Sequence, residues 1–434
     1  MTDARTEVDT DPEPEAAELR QLLEPADGVP DVVTSPAALR RVVDAMADGE
    51  GPVAVDAERA SGYRFGQHAY LVQLRRAGAG TALIDPRQCP DLSELSAALD
   101  GVEWVLHAAN QDLACLAELG LVPSRLFDTE LAGRLLGRER VGLGPMVANE
   151  LGLGLAKEHS AVDWSVRPLA ESWLRYAALD VEVLVELRDV LARDLEGSGK
   201  LAWALEEFEA VRTAPPPSPR VDRWRRTSGS HLVRAPRGLA IVRELWHARE
   251  IEAERADISP GRILPDAAIV AAAQSQPASR GELAGMREYR NRGAVRRITV
   301  WADAVERALA LDAGDLPPRR GPLGDTLPPP RSWTDKNPDG AVRLDNVRAR
   351  VRDLASEHHL PQENLLTPDF QRRLAWAPPK PITPGSVGEE LRRLGAREWQ
   401  VGLVAVPLAE ALLAPPLLKA DPGADPDVSE SSGE

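Results

Sequence analysis

The segment between residues 52 and 106 carries short apolar runs, partly β-branched, that are separated by turn residues. Such runs predict β-strands, and here they cover 52–56, 69–74, 81–85 and 102–106. A helical period precedes them at 35–49 and returns after residue 106, where it persists to about residue 208. Strands followed by helices predict an α/β domain over 35–211, with a mixed sheet flanked by helices.

Proline- and glycine-rich segments divide the rest of the chain into further parts. The order is a linker at 212–237, a helical block at 238–311, a linker at 312–340 and a second helical block at 341–413. The two blocks look like one repeat at an offset of 102 residues, because the apolar pair Ile263 and Leu264 returns as Leu365 and Leu366. We therefore predict two related all-α domains, with two unrelated helical bundles as the alternative.

The chain of 434 residues has a formal net charge of −16, which by itself argues against a polyanionic partner. The acidic excess is concentrated at the two ends. Residues 1–30 hold nine acidic and two basic residues, and residues 420–434 hold five acidic residues and no basic one. We predict that both segments are disordered acidic tails. The nearly neutral remainder leaves nucleic-acid binding open.

Cysteine content and hydropathy exclude other classes of protein. Two cysteines, Cys89 and Cys115, cannot build a disulfide framework or a CxxC metal site, which fits a reducing compartment. No apolar run reaches the roughly 18 residues that a transmembrane helix needs. The acidic N-terminus also lacks the basic and apolar regions of a signal peptide. We expect a cytoplasmic protein that has no membrane partner.

Acidic residues at positions that should be apolar supply the candidate chemistry. Asp56 and Glu58 end a strand, and alternate strand residues point to the same face, so their carboxylates lie side by side. Asp112 and Asp180 each interrupt the apolar stripe of a predicted helix, and Tyr176 lies one turn before Asp180. Each acid also has a purely structural interpretation: a solvated strand end, a contact with the helix dipole or a backbone hydrogen bond.

Four carboxylates from three separate elements favour hard-cation chemistry, because Mg²⁺ and Mn²⁺ prefer oxygen ligands. Two such ions about 4 Å apart can stabilise both the attacking and the leaving oxygen of a phosphodiester. Histidines do not offer an alternative metal site. His107, His159 and His231 lie far apart without the spacing of metal ligands, and we interpret them as incidental.

The order of these motifs resembles the DEDD superfamily of 3′–5′ exonucleases, in the branch that carries a catalytic tyrosine. The matching motifs are VDAE at 55–58, LHAANQDL at 106–113 and YAALDV at 176–181, with linking stretches at 127–132 and 163–169. Within this superfamily the combination is similar to the ribonuclease D family, in which two HRDC domains follow the nuclease. The resemblance implies a ribonuclease H-like exonuclease domain at 35–211, an HRDC domain at 238–311 and a second, divergent HRDC-like domain at 341–413.

The resemblance also implies a catalytic set. The positions that match the ligands of two divalent ions, Mg²⁺ or Mn²⁺, are Asp56, Glu58, Asp112 and Asp180. Tyr176 would orient the attacking water, and Asp128 would cap a helix rather than bind metal. Ala57 stands where the family commonly has threonine, which removes a hydroxyl but no ligand. The implied reaction is hydrolysis of RNA from a free 3′ end, with tRNA precursors as the expected substrates.

A polyanionic substrate also requires cationic contacts. Residues 212–237 contain seven arginines and one acid, and a tryptophan lies among them, which suits phosphate contact together with base stacking. The candidates for nucleic-acid contact in this segment and in a second arginine cluster are Arg223, Trp224, Arg225, Arg226, Arg290, Arg296 and Arg297. The alternative for both clusters is an ordinary solvated surface in an arginine-rich chain.

Two other functions stay open at this point. The first is a 3′–5′ DNA exonuclease of the type associated with helicases, which also carry HRDC domains, although this chain has no helicase P-loop. The second is a catalytically silent RNA-binding scaffold. Loss of one of the four acids would indicate such a scaffold, and all four are present.

Overall fold

The structure is a computed structural model that describes residues 19–155, 162–216, 221–321 and 326–416. The chain forms two compact units. The first consists of Met1–Glu130 and Arg140–Arg193, and the second of Leu131–Glu139 and Asp194–Glu434. The predicted tail at 420–434 lies outside the described residues. Within the described ranges no helix is long and apolar enough to cross a membrane.

The first unit is built on a mixed β-sheet. The strands of the described residues are β1 (Arg20–Leu22), β2 (Val32–Val33), β3 (Glu50–Arg59), β4 (Ala69–Ala77), β5 (Gly80–Ile84), β6 (Glu103–Leu106), β7 (Arg125–Asp128) and β8 (Leu153–Leu155). Six of them form one sheet in the order β2-β5-β4-β3-β6-β7. Strand β3 pairs antiparallel with β4 and parallel with β6. The predicted mixed sheet is therefore confirmed.

The helices in this described part of the chain lie mostly in the first unit, although residues 131–135 and 194–197 belong to the second. They are α1 (Pro36–Asp48), α2 (Ser93–Ala98), α3 (Leu113–Ala117), α4 (Thr129–Leu135), α5 (Leu143–Leu151), α6 (Glu171–Glu182) and α7 (Leu184–Gly197). Helix α1 shows why they begin where they do: the hydroxyl of Ser35 accepts a hydrogen bond from the amide of Ala38, and Pro36 occupies the first turn. Helix α6 packs against β3, β4 and β5. It thereby brings its own side chains close to the carboxyl end of β3.

Part of the N-terminal segment is ordered, so the prediction of a disordered tail over residues 1–30 is wrong from residue 19 onward. Strand β1 pairs in parallel with β8, in the register Arg20 to Leu153. The carboxylate of Glu24 also forms an ion pair with Arg175, at 2.9 Å. Acidic composition predicted disorder, whereas these acids find arginine partners on the folded domain. The first 18 residues lie outside the described part of the chain.

The second unit is helical in its described residues. After α8 (Leu201–Arg212), one group of helices is α9 (Pro236–Ala256), α10 (Pro260–Ile263), α11 (Asp266–Ser275), α12 (Arg280–Gly285), α13 (Arg292–Arg296) and α14 (Ile298–Ala310). The other group is α15 (Trp333–Lys336), α16 (Pro338–Glu357), α17 (Gln362–Leu365), α18 (Pro368–Trp376), α19 (Pro384–Leu394) and α20 (Glu398–Leu413). The offset of 102 residues recurs in the helices themselves: α16 and α17 begin at that distance from α9 and α10.

The two compact units separate at residues 193 and 194, not at residue 211, where the sequence pattern predicts the end of the α/β domain. The reason is the packing of α8 inside the second unit. The rings of Trp203 on α8 and Trp399 on α20 stack with their centroids 5.0 Å apart. The indole nitrogen of Trp399 also donates a hydrogen bond of 3.0 Å to Glu207. Helix α8 therefore belongs to the same compact unit as α20.

Candidate active site

Two of the predicted metal ligands lie at the carboxyl end of β3. In the middle of this strand Val53, Ala54 and Val55 are fully buried, because the sheet is covered on both faces there. Further along, the pattern changes to alternation: Ala57 is buried, whereas Asp56 and Glu58 are half-buried and share the other face. The alternation predicted for the two carboxylates is therefore present in the structure.

The third acid, Asp112, is placed by a tight loop after β6. Ala108 adopts the left-handed conformation (φ 58°), and a single 3₁₀ turn then leads to Asp112, whose side chain is buried. The carboxylate of Asp128 holds this loop. It accepts hydrogen bonds from the amides of Ala108 at 3.0 Å and Ala109 at 2.8 Å, as well as from Glu130 at 3.0 Å. Asp128 thus caps the helix after it, and it also fastens the loop before Asp112.

The last two members of the set lie on α6, one turn apart. Asp180 and Tyr176 face the sheet end, and the phenolic hydroxyl of Tyr176 donates a hydrogen bond to the carboxylate of Asp180. The sequence pattern places the two side chains on one face by their spacing of four residues. Only the packing of α6 on β3 brings that face to the acids of the strand.

A cavity of about 510 Å³ in the first unit unites these residues. Its walls include all five members of the predicted catalytic set together with Arg59, His107, Gln111, Leu143, Gly144, Leu155 and Leu184. One carboxylate oxygen each from Asp56, Glu58 and Asp180 lies within 4.8 Å of the others. Asp112 is outside this triplet. It forms an ion pair with Arg59, whose Nη2 lies 3.3 Å from Asp112 Oδ1.

The cavity strongly disfavours the ionised form of its acids. Burial raises the pKa of Glu58 to about 10, and the charges of Asp56 and Asp180 add to the effect. Burial and the charge of Asp56 raise the pKa of Asp112, whereas the charge of Arg59 opposes this shift and favours the ionised carboxylate. The pKa values of Asp56 and Asp180 are raised for the same primary reason, desolvation by burial. Such a cluster is ionised at neutral pH only when cations compensate its charge.

The residues fit a divalent cation of the hard type. The donors are anionic oxygens, three of them within 4.8 Å of one another, as a shared ligand sphere requires. Within the described residues, the buried Oδ1 of Asp112 accepts no hydrogen bond, so it retains a lone pair for a further partner. We therefore regard this acidic cluster as a candidate metal centre.

Several cavity residues were not predicted from the sequence, among them Arg59 and His107, and His107 was interpreted as incidental. His107 lies in the cavity wall, and its Nδ1 is 2.9 Å from the hydroxyl of Thr129. Burial lowers the pKa of His107 to about 4, so the ring is neutral near pH 7. The spacing of histidines along the chain did not indicate that His107 would line this cavity. The signal that could have found it is local, because His107 directly follows the buried strand β6.

The predicted nucleic-acid contacts lie in the second unit and differ among themselves. Arg223, Arg226, Arg290 and Arg296 are exposed. Arg297 is half-buried and forms an ion pair with Glu252 at 3.0 Å. Among the exposed members, Arg223 lies over the ring of Trp246 and Arg290 donates to a backbone carbonyl, whereas the charge of Arg297 is compensated by an acid of its own domain.

Trp224 is buried, so the interpretation that it stacks on a nucleic-acid base is wrong. Its side chain is only 2% exposed, and its indole nitrogen donates to Asp222. The guanidinium of Arg225 lies over the indole ring, 4.2 Å from its centroid, and donates to the same aspartate at 2.8 Å. The segment 221–237, predicted as part of a linker, instead contains two 3₁₀ turns, Arg223–Arg226 and Ser230–Leu232, and the start of α9. The first of these turns packs on α9.

Family models match three parts of the chain. Residues 30–196 match the model described as 3′-5′ exonuclease, and residues 238–305 match the HRDC domain. For the second helical group, which we predicted as HRDC-like, residues 326–412 match the model described as the 3′ to 5′ exonuclease C-terminal domain. A nuclease followed by helical domains is therefore the arrangement that these matches describe.

Curated relatives of this chain come from several bacteria. The ribonuclease D of Gluconacetobacter diazotrophicus is 33% identical over 305 residues, which are 67% of this chain and 75% of that protein. The ribonuclease D of Escherichia coli is 32% identical over 212 residues, or 48% of this chain and 56% of that protein.

Solved structures show the same relationship. A protein from Bifidobacterium adolescentis superposes with a TM-score of 0.84 and 36% identity, covering 92% of this chain and all (100%) of that chain. The structure of E. coli RNase D superposes with a TM-score of 0.62 and 25% identity, covering 86% and 98% of the two chains.

The mixed sheet, the acidic cluster at the end of β3 and the helical domains after it define a 3′–5′ exonuclease of the DEDD superfamily with an HRDC domain. The arrangement and the identity to curated relatives narrow the class further. The chain belongs to the ribonuclease D family.

Proposed function

We propose that this protein is a 3′–5′ exoribonuclease that removes nucleotides from RNA with the help of two divalent ions, Mg²⁺ or Mn²⁺. The observation that carries the proposal is the acidic cluster of Asp56, Glu58 and Asp180, with Asp112 in the same cavity. The related E. coli enzyme is described as an exoribonuclease involved in structured RNA processing. We extend this to tRNA precursors as substrates and to the cytoplasm as the compartment.

The four carboxylates would hold the ions, since their oxygens are the anionic donors of the cavity. When bound, such ions lower the pKa of a water molecule and stabilise the leaving 3′ oxygen of the phosphodiester. The protein positions these donors with rigid elements: a sheet strand for Asp56 and Glu58, and a helix for Asp180. Asp112 depends on the loop that Asp128 fastens.

Tyr176 serves as a hydrogen-bonding group rather than as a general base. Burial and the neighbouring carboxylate of Asp180 raise the pKa of its phenol above the ordinary value, so the hydroxyl keeps its proton at any physiological pH. Its position beside the acidic cluster suits the orientation of a water molecule for attack. This is the role that the resemblance to the family implies for it.

The exposed arginines of the second unit complete the proposal. Arg223, Arg226, Arg290 and Arg296 are candidates for phosphate contact, because a polyanion binds to accessible cations. Arg225 and Arg297 are weaker candidates, since each already forms an ion pair within its own domain. Charge reversal at Arg223 and Arg226 should weaken RNA binding and reduce its dependence on salt concentration.

A DNA exonuclease is the second candidate function, because nothing in the acidic cluster distinguishes ribose from deoxyribose. The third reading, a catalytically silent scaffold, is disfavoured, because the acids of a complete catalytic set meet in one cavity. The three hypotheses, an exoribonuclease, a DNA exonuclease and a silent scaffold, predict different outcomes in a single assay with matched RNA and DNA oligonucleotides.

The experiment is digestion of 5′-labelled RNA and DNA strands with free or blocked 3′ ends, in the presence of Mn²⁺ or Mg²⁺. We expect stepwise shortening of the free-ended RNA, none of the blocked strand, and loss of activity by a factor of about 10²–10³ in Asp180→Asn. Asp44→Asn, the same change on an exposed face of α1, is the matched control and should stay fully active. Full activity of Asp180→Asn, or equal cleavage of the blocked strand, would contradict the proposal.

A further inference from the structure

Arg59 is the cation that the protein itself places in the acidic cavity. It directly follows Glu58 at the end of β3, and its guanidinium lines the same cavity as the four acids. Its Nη1 donates a hydrogen bond of 2.5 Å to the backbone carbonyl of Gln111. Its Nη2 lies 3.3 Å from Oδ1 of Asp112. The side chain is 25% exposed, so it is accessible from the cavity.

The partner of Arg59 is the one acid that stands apart from the others. Asp56, Glu58 and Asp180 gather their oxygens within 4.8 Å, and Asp112 is not part of that triplet. The side chain of Asp112 is 7% exposed and has the guanidinium as its charge partner. The contact is an ion pair without a hydrogen bond at Oδ1 among the described residues. Asp112 is therefore neutralised by a contact that leaves its oxygen available to a stronger cation.

We propose that Arg59 is an internal counterion of Asp112, which a divalent ion replaces when the acidic cluster binds metal. The inference rests on the proposed function, since it concerns the same candidate metal centre. In the metal-free protein the guanidinium compensates the charge of Asp112. Binding of an ion at Asp112 must compete with this contact, so Arg59 lowers the affinity of that ion.

The backbone carbonyl of Gln111 can hold the Arg59 side chain in place while a divalent ion replaces it at Asp112. The guanidinium has two separate nitrogens in use, one on the carbonyl and one toward Asp112. Because the hydrogen bond to the carbonyl does not involve the carboxylate, Arg59 can give up Asp112 and still keep a hydrogen-bond partner.

The test is direct metal binding, measured by calorimetric titration of the full-length protein with Mn²⁺ in the absence of RNA. We expect wild type to bind two ions with different affinities. Arg59→Gln should bind the weaker ion about three- to tenfold more tightly, the size expected for the loss of a partly exposed charge pair. Arg41→Gln is the matched control, because Arg41 is exposed on α1 and donates to the carbonyl of Ala37 in the same helix. It should titrate like wild type.

A double-mutant cycle with Asp112→Asn separates the counterion from a general electrostatic effect. Once Asp112 has lost its charge, Arg59→Gln should no longer change the affinity of the remaining ion. The melting temperature gives a second readout: Mn²⁺ should raise it more in Arg59→Gln than in wild type. Arg59→Lys retains the charge and serves as the conservative variant, with an affinity close to that of wild type.

The outcomes are distinguishable. Unchanged or weakened Mn²⁺ binding by Arg59→Gln would contradict the counterion proposal, since Arg59 would then merely hold Asp112 in place. An effect of equal size in the Asp112→Asn background would also overturn it. If wild type takes up no divalent ion at all, the proposed function itself fails, and the inference fails with it.

Discussion

Removing the carboxylate of Asp128 should loosen the loop that carries Asp112, although Asp128 is not a metal ligand. The side chain is 3% exposed and accepts hydrogen bonds from three backbone amides, those of Ala108, Ala109 and Glu130. The first of these belongs to a residue in the left-handed conformation, which an alanine adopts at a cost of about 1 kcal/mol. The hydrogen bonds to the carboxylate offset that cost.

The expected magnitude follows from the number of amides that lose their partner. A buried amide left without an acceptor costs about 1–3 kcal/mol. Asp128→Ala leaves three of them and should destabilise the first unit by about 4 kcal/mol, after partial rescue by water. Asp128→Asn keeps Oδ1, which serves Ala108 and Glu130, but replaces the acceptor of Ala109 by a donor. One lost partner should cost about 2 kcal/mol.

The assay is hydrogen exchange measured by mass spectrometry on the segment from β6 to α3, together with the turnover number. We expect faster amide hydrogen exchange of the loop in both Asp128→Ala and Asp128→Asn. The turnover number should fall most in the variant whose loop loses most protection from exchange. Asp91→Asn is the control, because Asp91 makes a similar bond of 2.9 Å to the amide of Ser93 on an exposed surface. Complete loss of turnover in Asp128→Asn with unchanged exchange would refute the reasoning, since it would make Asp128 a ligand.

Three further predictions concern the cavity and the second unit. Tyr176→Phe should lower turnover by about 10²-fold, as for loss of a positioned donor, while divalent ions still bind; unchanged turnover would show that the hydroxyl does not position the reacting groups. Lowering the pH from 6.5 to about 4 should destabilise the first unit through His107, because its folded pKa of about 4 lies below the unfolded value and only the unfolded chain takes up a proton in that window. His107→Asn should flatten that pH dependence, as followed by melting temperature, and an unchanged slope would assign it to other groups. Trp203→Ala should destabilise the second unit by about 2 kcal/mol through loss of its stack with Trp399, whereas Leu205→Ala, at a half-exposed position on the same helix, should melt like wild type.

The candidate site could be predicted to a large extent from short-range periodicity. The spacing of two residues puts Asp56 and Glu58 on one strand face, and the spacing of four puts Tyr176 and Asp180 on one helix face. Both relations are properties of the local backbone, and the structure contains both. That these faces meet follows from the packing of α6 on the sheet, which no local period encodes.

Predictions that relied on composition succeeded less well. Acidic composition predicted disorder up to residue 30, yet β1 pairs with β8 about 130 positions further along the chain. An aromatic residue among arginines suggested base stacking, yet Trp224 is buried on α9. Composition describes the average environment of a segment, whereas burial depends on whether a partner elsewhere in the chain offers a complementary surface.

What the sequence by itself indicated is the class of fold, through local patterns of apolar residues, and four candidate acids, through motifs that resemble those of a known family. Only the tertiary structure decided which groups accompany those acids. Arg59 meets Asp112 and Asp128 fastens the loop of Ala108, in each case between residues that are 20 or more positions apart. Contacts of this kind depend on where the strands and loops end in space, since hydrogen bonds and ion pairs act only over a few ångströms.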